Sequence, residues 1–336
     1  MKTYRFLLVA LIATVVFSAC NNEQFEKPVK EGQEVSFRLQ GGMPDATTRS
    51  LATTIDNLEA FVVFGTDDIV ASPGLLFDGV TVARQLGGAT FTYAPKVYYS
   101  VDATIAGFYA FSPVSAKING SVTVPATILT DGISFDYTVP SPDDSGEVVQ
   151  EDLLVAGTEV TSITTAPVSL NFKHALSRIF VTAQNTKDDP VIIKELVLMN
   201  LNTTGTLSVG PASVLDWSSL TTLDNYAYVL APSGVVVPGG TSDKTLVTSM
   251  EQGMMILPQE VVTTGTGDVT ADDFALKVTY NFANLSDMEQ YVYINDGYEF
   301  EAGKQYKINI TFDGLLPIEF EITVDDFEAP VEVDYP

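Results

Sequence analysis

Cysteine, histidine and tryptophan each occur once in the 336 residues. One Cys cannot form an intramolecular disulfide, and one His removes every site that needs two imidazoles, the two-His metalloprotease arrangement among them. Positive charge is also scarce: 17 Lys and Arg stand against 43 Asp and Glu, a formal net charge of -26. Phosphate is bound by Lys and Arg, so nucleic acid and anionic lipid surfaces are set aside as partners. No stretch reaches the ~18 consecutive apolar residues expected of a membrane-spanning helix. Helical periodicity is sparse, and only Thr53 to Leu58 and Val214 to Leu220 have room for a turn or two of helix. What is present is apolar: 46% of residues are hydrophobic and 18% charged, a balance that folds. The length suits two domains of ~100 to 200 residues, each with its own core.

The N-terminus reads as a targeting segment. Lys2 and Arg5 precede an apolar run from Phe6 to Phe17, too short to span a bilayer and suited to a signal peptide. The run closes in Phe17-Ser18-Ala19-Cys20, followed by the polar Asn21-Asn22. This resembles a bacterial lipoprotein signal, which implies that residues 1–19 are removed and Cys20 becomes the lipidated first residue. The alternative is ordinary secretory cleavage near Ala19, with Cys20 an idle thiol. Either cut removes two positive charges and no acid, leaving 15 basic against 43 acidic residues. Under the lipoprotein reading the acyl chains are the attachment to the outer membrane.

Beyond residue 30 the pattern is β. Period-2 alternation recurs in Val35 to Leu39, Val278 to Phe282, Tyr306 to Phe312 and Ile318 to Val324, as half-buried strands require. Gly87-Gly88, Asp131-Gly132, Pro238-Gly239-Gly240 and Asp313-Gly314 punctuate the strands as turns. The expected fold is all-β: two tandem antiparallel β-sandwiches, with the joint in the Thr/Ser-rich stretch from Gly157 to Pro167. The resulting division is a signal peptide over 1–19, a propeptide over 20–49, an N-terminal sandwich over 50–160 and a C-terminal sandwich over 161–336.

No catalytic constellation emerges, and no cofactor or metal site is expected. His174 lies in the strand-like Leu170 to Leu176, where a hydrogen-bonded structural role fits better than a general base. The acidic pairs Asp67-Asp68, Asp143-Asp144, Asp188-Asp189, Asp272-Asp273 and Asp325-Asp326 consist of neighbours that face opposite ways on a strand. They read as solvated loop charges more readily than as a glycosidase pair or a calcium cage. No phosphate-cradling loop ends in Gly-Lys-Ser or Gly-Lys-Thr. Trp217 and the tyrosines are core and sheet-face material, though an exposed aromatic strip would serve carbohydrate or protein binding.

Several segments in order carry a resemblance. After the lipoprotein signal come Val35-Ser36-Phe37, Thr47-Thr48-Arg49-Ser50, Asp152-Leu153-Leu154-Val155-Ala156 and Phe172-Lys173-His174-Ala175-Leu176-Ser177-Arg178-Ile179. They continue with Met255-Ile256-Leu257-Pro258-Gln259, Phe300-Glu301-Ala302-Gly303-Lys304-Gln305-Tyr306 and Ile322-Thr323-Val324-Asp325-Asp326-Phe327. The series resembles the fimbrillin family, the lipoprotein precursors of type V pili, with Phe327 where a Trp is expected. The resemblance implies transthyretin-like sandwiches and export to the outer surface. It further implies removal of the first strand by an Arg-specific protease and polymerisation with other pilus subunits by strand donation.

The residues fit that scheme on their own terms. A strand burying Val35, Phe37 and Leu39 is followed by Gly41-Gly42 and the turn-like Pro44 to Ser50, a segment a protease can bind extended. Arg49-Ser50 is the candidate bond. The chain has five arginines, at positions 5, 38, 49, 84 and 178, so few other cuts compete. Losing the strand exposes three apolar side chains and several ladder bonds, a cost of roughly 8–15 kcal/mol, which is comparable with a whole domain's stability. A filler is available at 318–335. Ile318, Phe320, Ile322 and Val324 alternate with polar residues, and after Pro330 so do Val331, Val333 and Tyr335. A strand supplied by a neighbour is β-augmentation, and head-to-tail donation does not close, so it yields a filament. The alternatives are a tip or accessory adhesin of the same pilus, which accepts a strand without donating one, and a monomeric surface lipoprotein that binds carbohydrate or a host protein.

Overall fold

A computed structural model describes residues 32–39, 58–70, 74–85, 90–116, 118–140, 150–228, 230–248, 253–261, 273–294 and 297–326. Among them 60% are strand and 3% helix, so the chain is all-β as its alternation requires. The first strands are β1 (Phe37–Leu39), β2 (Ala60–Asp67), β3 (Phe77–Arg84), β4 (Phe91–Thr92), β5 (Ala106–Ser112) and β6 (Ile118–Thr123). The short helix α1 (Ile128–Asp131) leads into β7 (Ile133–Thr138) and β8 (Leu154–Val160). Then come β9 (Val168–Leu170), β10 (Lys173–His174), β11 (Ser177–Asn185), β12 (Val191–Gly210), β13 (Val214–Ala227), β14 (Val235–Val237) and β15 (Thr241–Leu246). The remaining strands are β16 (Met254–Ile256), β17 (Gln259–Glu260), β18 (Ala275–Phe282), β19 (Leu285–Tyr293), β20 (Glu299–Phe300), β21 (Lys304–Phe312) and β22 (Glu319–Asp326).

Three sheets carry the architecture. One runs β10-β8-β5-β2-β3-β4, a second β19-β18-β12-β7-β6 with β13 and β14 also on β12, and a third β15-β11-β21-β22 with β16 on β11. The first sheet is buried on both faces, which is why β2, β5 and β8 read as continuous apolar runs rather than alternations. One face, with Phe61, Val63, Phe108, Leu154 and Ala156, supports a smaller core. The other, with Val62, Phe64, Tyr109, Phe111 and Val155, joins a larger core shared with the other two sheets. The expected joint at 157–167 starts inside β8 and ends before β9, and Val168, Leu170 and Phe172 beyond it join the smaller core.

The helical expectation at Val214 to Leu220 is overturned: the segment opens β13, which pairs antiparallel with β12. Leu215, Trp217 and Leu220 are its half-buried residues. The ladder shifts register between Thr204 and Thr206, opposite Ser219, whose φ is 52°. One extra residue there turns a spacing of two into three, and this break in the alternation imitates a helix. The other helical candidate, Thr53 to Leu58, lies outside the described residues except for Leu58.

Candidate functional site

β1 occupies a slot in the smaller core. On one side it pairs in parallel with β9, Phe37 against Val168, Arg38 against Ser169 and Leu39 against Leu170. On the other its lead-in runs antiparallel to residues 97–99: Val35 N–H donates to the Val97 carbonyl at 3.0 Å, Tyr99 N–H to Gln33 at 2.9 Å, and Glu34 bridges Tyr98. Val168 N–H closes the β9 side onto the Ser36 carbonyl at 2.7 Å, and the Tyr93 hydroxyl donates to Val35 O at 2.5 Å. Gly32 lets the segment enter, because a Cβ there would lie 1.9 Å from the Tyr99 carbonyl oxygen.

The floor of the slot is aromatic. Phe37 is 5% exposed and meets Phe77 at 5.3 Å, Phe108 at 5.5 Å, and Phe61 and Tyr93 at 6.0 Å between ring centroids. All four contacts are edge-to-face, an arrangement the ring quadrupole favours. Val35 is buried and Leu39 half-buried against the same cluster. The wall at 97–99 is braced by Asp67, whose carboxylate accepts from Ser100 N–H at 2.6 Å and from Ile69 and Val70 N–H at 3.1 and 2.9 Å. That carboxylate is therefore an anchor for loop backbone. Burial pushes the Tyr99 hydroxyl up to about 12, with Tyr93 and Asp67 adding to the effect. At the rim Lys96 pairs with Glu34 at 2.5 Å, and this hydrogen bond raises the ammonium above its ordinary value.

The expected donor residues lie elsewhere. β22 is the edge strand of its sheet, antiparallel to β21 over Lys304 to Thr311. Ile318 is buried, Phe320 and Ile322 are half-buried against the larger core, and Val324 is 46% exposed. Cys20, Arg49, Ser50, Val331, Val333 and Tyr335 lie outside the described residues. Arg178 is 2% exposed, with its guanidinium 4.4 Å from the centre of the Phe180 ring. Arg84 is half-buried, donating to the Leu58 carbonyl at 2.9 Å and lying over Phe91.

His174 is built into the interior. Its Nδ1 lies 3.0 and 2.9 Å from the two carboxylate oxygens of Asp152, and both residues are buried. Arg178 feels the same carboxylate, and desolvation lowers its guanidinium to about 10. Among the described acidic pairs, Asp68 accepts from Thr104, and Asp326 pairs with Lys304 at 2.7 Å. The slot walls escaped the sequence reading. Phe61, Phe77 and Phe108 sit on separate strands and Tyr93 just after β4, and only the sheet order brings them around one side chain.

Comparison with known proteins bears on the family and the fold. A family model described as fimbrillin-like matches residues 48–326. The solved fimbrial protein from Bacteroides vulgatus ATCC 8482 superposes with a TM-score of 0.60 at 12% identity, covering 88% of this chain and 99% of that one. A candidate cell adhesion protein from Bacteroides ovatus ATCC 8483 gives 0.52 at 13% identity, over 88% and 98%. One from Bacteroides uniformis ATCC 8492 gives 0.50 at 16%, over the same shares. At these identities the likeness is one of fold. No curated protein sequence matches the chain.

Proposed function

The chain belongs to the fimbrillin-like family, and on that premise we propose that it is a structural, non-enzymatic subunit of a type V pilus that serves adhesion at the cell surface. It is exported as a precursor, loses residues 1–19 and is held at the outer membrane by lipid, palmitate included, on Cys20. An Arg-specific protease then cuts Arg49-Ser50, β1 leaves with the propeptide, and a strand from the C-terminal region of a neighbouring subunit refills the slot. Repetition from copy to copy builds the fimbrium. The two transthyretin-like sandwiches of this reading span 50–160 and 161–336.

The observation that carries the reading is the manner in which β1 is held. Its side chains complete the smaller core, yet the strand is three residues long and joins β9 and residues 97–99 through few backbone bonds. A segment so placed is covalently expendable and energetically required, which are the properties of a plug that another strand replaces. The family match supports a pilus or adhesion subunit. Arg-specific digestion of the folded precursor tests the reading. One dominant product beginning at Ser50 is expected, since Arg178 is enclosed and Arg84 is held against Leu58 and Phe91. A first cut elsewhere removes the processing step from the reading. Palmitate label that persists in Cys20→Ala removes the lipoprotein step.

A further inference from the structure

β9 is one wall of the slot, and β1 is its one ladder partner among the described strands. When β1 leaves, the wall loses that ladder. Its side chains hold it from within, since Val168, Leu170 and Phe172 are buried in the smaller core. Its backbone attachment is one-sided. Residues 161–167 before β9 are largely exposed, whereas Asn171, Lys173, His174 and Ala175 after it are all tied down. The wall is therefore a strand held at its C-terminal root.

That root is fixed from another sheet. The turn Pro211–Ser213 joins β12 to β13, and beside it Gly210 lies so close to β8 that a Cβ on Gly157 would fall 2.2 Å from its carbonyl oxygen. Ser213 is 1% exposed; its hydroxyl accepts from the Gly157 N–H of β8 at 3.0 Å and donates to the Asn171 carbonyl at 2.8 Å. The Lys173 ammonium donates to the carbonyls of Ser213 at 3.1 Å and Ala212 at 3.4 Å. His174 is bound to the buried Asp152, and Trp217 Nε1–H of β13 donates to the Ala175 carbonyl at 2.8 Å. The turn keeps this arrangement against its own backbone: φ is 57° at Ala212 and 52° at Ser213, the left-handed region that a side chain disfavours. Such residues persist where their surroundings over-determine them, and here the surroundings are the root of the slot wall.

Resting on the strand-exchange reading, we infer that Ser213, seconded by Lys173, is a positioning residue for strand acceptance: it holds the root of β9 so that the slot keeps the width of a strand after β1 has gone. The bonds described for β1 and its lead-in run to β9, to residues 96–99 and to Tyr93, not to Ser213 or Lys173. Both side chains therefore act on the empty slot and not on the strand inside it. Without the brace the wall takes positions that admit no strand, and capture slows in proportion to the fraction of slots that stay open. A seated strand supplies its own ladder, so its departure is unaffected.

The experiment takes the full chain with Cys20→Ala, cuts it with an Arg-specific protease, frees it of its propeptide by gel filtration in dilute urea and mixes it with a fluorescent peptide of residues 33–39. Association and dissociation rates are compared for the wild type, Ser213→Ala and Lys173→Met. Ser213→Ala should slow association about three- to tenfold, the shift that one net hydrogen bond controls, and leave dissociation within about twofold. Lys173→Met, an exposed change that keeps the apolar stem, should slow association about twofold. If Ser213→Ala fails to fold, the Lys173→Met rate alone decides. Association at the wild-type rate in the folded variants overturns the brace and leaves strand exchange standing. So does faster dissociation with unchanged association, which would place Ser213 among the contacts of the seated strand. If the cleaved wild type takes up no peptide, strand exchange falls and this inference with it.

Discussion

Phe37 concentrates the smaller core at one side chain. It is enclosed by Phe61, Phe77, Tyr93 and Phe108, which come from β2, β3, β5 and the turn after β4. Truncating an enclosed phenyl removes its transfer free energy and leaves a void, so Phe37→Ala should destabilise the uncleaved precursor by about 3–5 kcal/mol in urea unfolding. Phe320→Ala, on a half-buried edge position, should cost about 1–2 kcal/mol. Equal costs would place Phe37 outside the core that the rings define. Asp152 is the corresponding polar residue, since His174 binds it and Arg178 feels its charge in the interior. Asp152→Ala should therefore destabilise by about 3–5 kcal/mol, because it removes the carboxylate that the His174 ring and the buried Arg178 guanidinium face. A loss below about 1 kcal/mol would show that the interior relaxes around the deletion.

At the scale of elements the molecule sets well-buried strands beside a lightly held one. β11 and β21 pair in parallel over Arg178 to Asn185 and form the centre of their sheet, and β22 closes its edge. Hydrogen exchange should read this order: amides in β22 should lose protection at least about tenfold sooner than those in β21 and β11, since edge strands open at lower free energy. Equal protection would mean that β22 is fixed and unsuited to leave. The strands legible by alternation were β1, β18, β21 and β22, because alternation marks a half-buried strand: Tyr306 to Phe312 fell within Lys304–Phe312, and Ile318 to Val324 overlapped Glu319–Asp326. β13 was misread where a bulge displaced the alternation. β9 was not singled out, because three residues carry no period of their own. The apolar face of Val35, Phe37 and Leu39 was visible locally. The walls and rings around it were not, since they gather only when β2, β3 and β5 pair across distant parts of the chain.

For the whole molecule, acidity sets the pH response. With a formal net charge of -26, proton uptake on lowering the pH from 7 relieves repulsion in the folded state. Against this, three carboxyls are held below 3.8: Asp68 by the Thr104 hydroxyl and backbone N–H, Asp131 by Thr127 and Thr130, and Asp313 by Lys187 and Thr186. A depressed folded pKa contributes stability above the unfolded value and loses it as pH falls through the folded one. Thermal midpoints should stay level or rise from pH 7 to about 4.5 and drop below 3.8. Burial raises Tyr99, Tyr109 and Tyr226 to about 12, so above 10.0 the unfolded chain ionises first and stability falls again. A midpoint that declines steadily from pH 7 to 4.5 would contradict the balance.

In the proposed assembly, cleavage behind Arg49 converts a closed monomer into a subunit that accepts a neighbour's strand. Negative-stain electron microscopy of the purified precursor after Arg-specific digestion tests it, with Arg49→Ala treated identically beside it. The expected result is filaments from the digested wild type and monomers from Arg49→Ala. Filaments of equal length from Arg49→Ala, still carrying β1 in its slot, would contradict it.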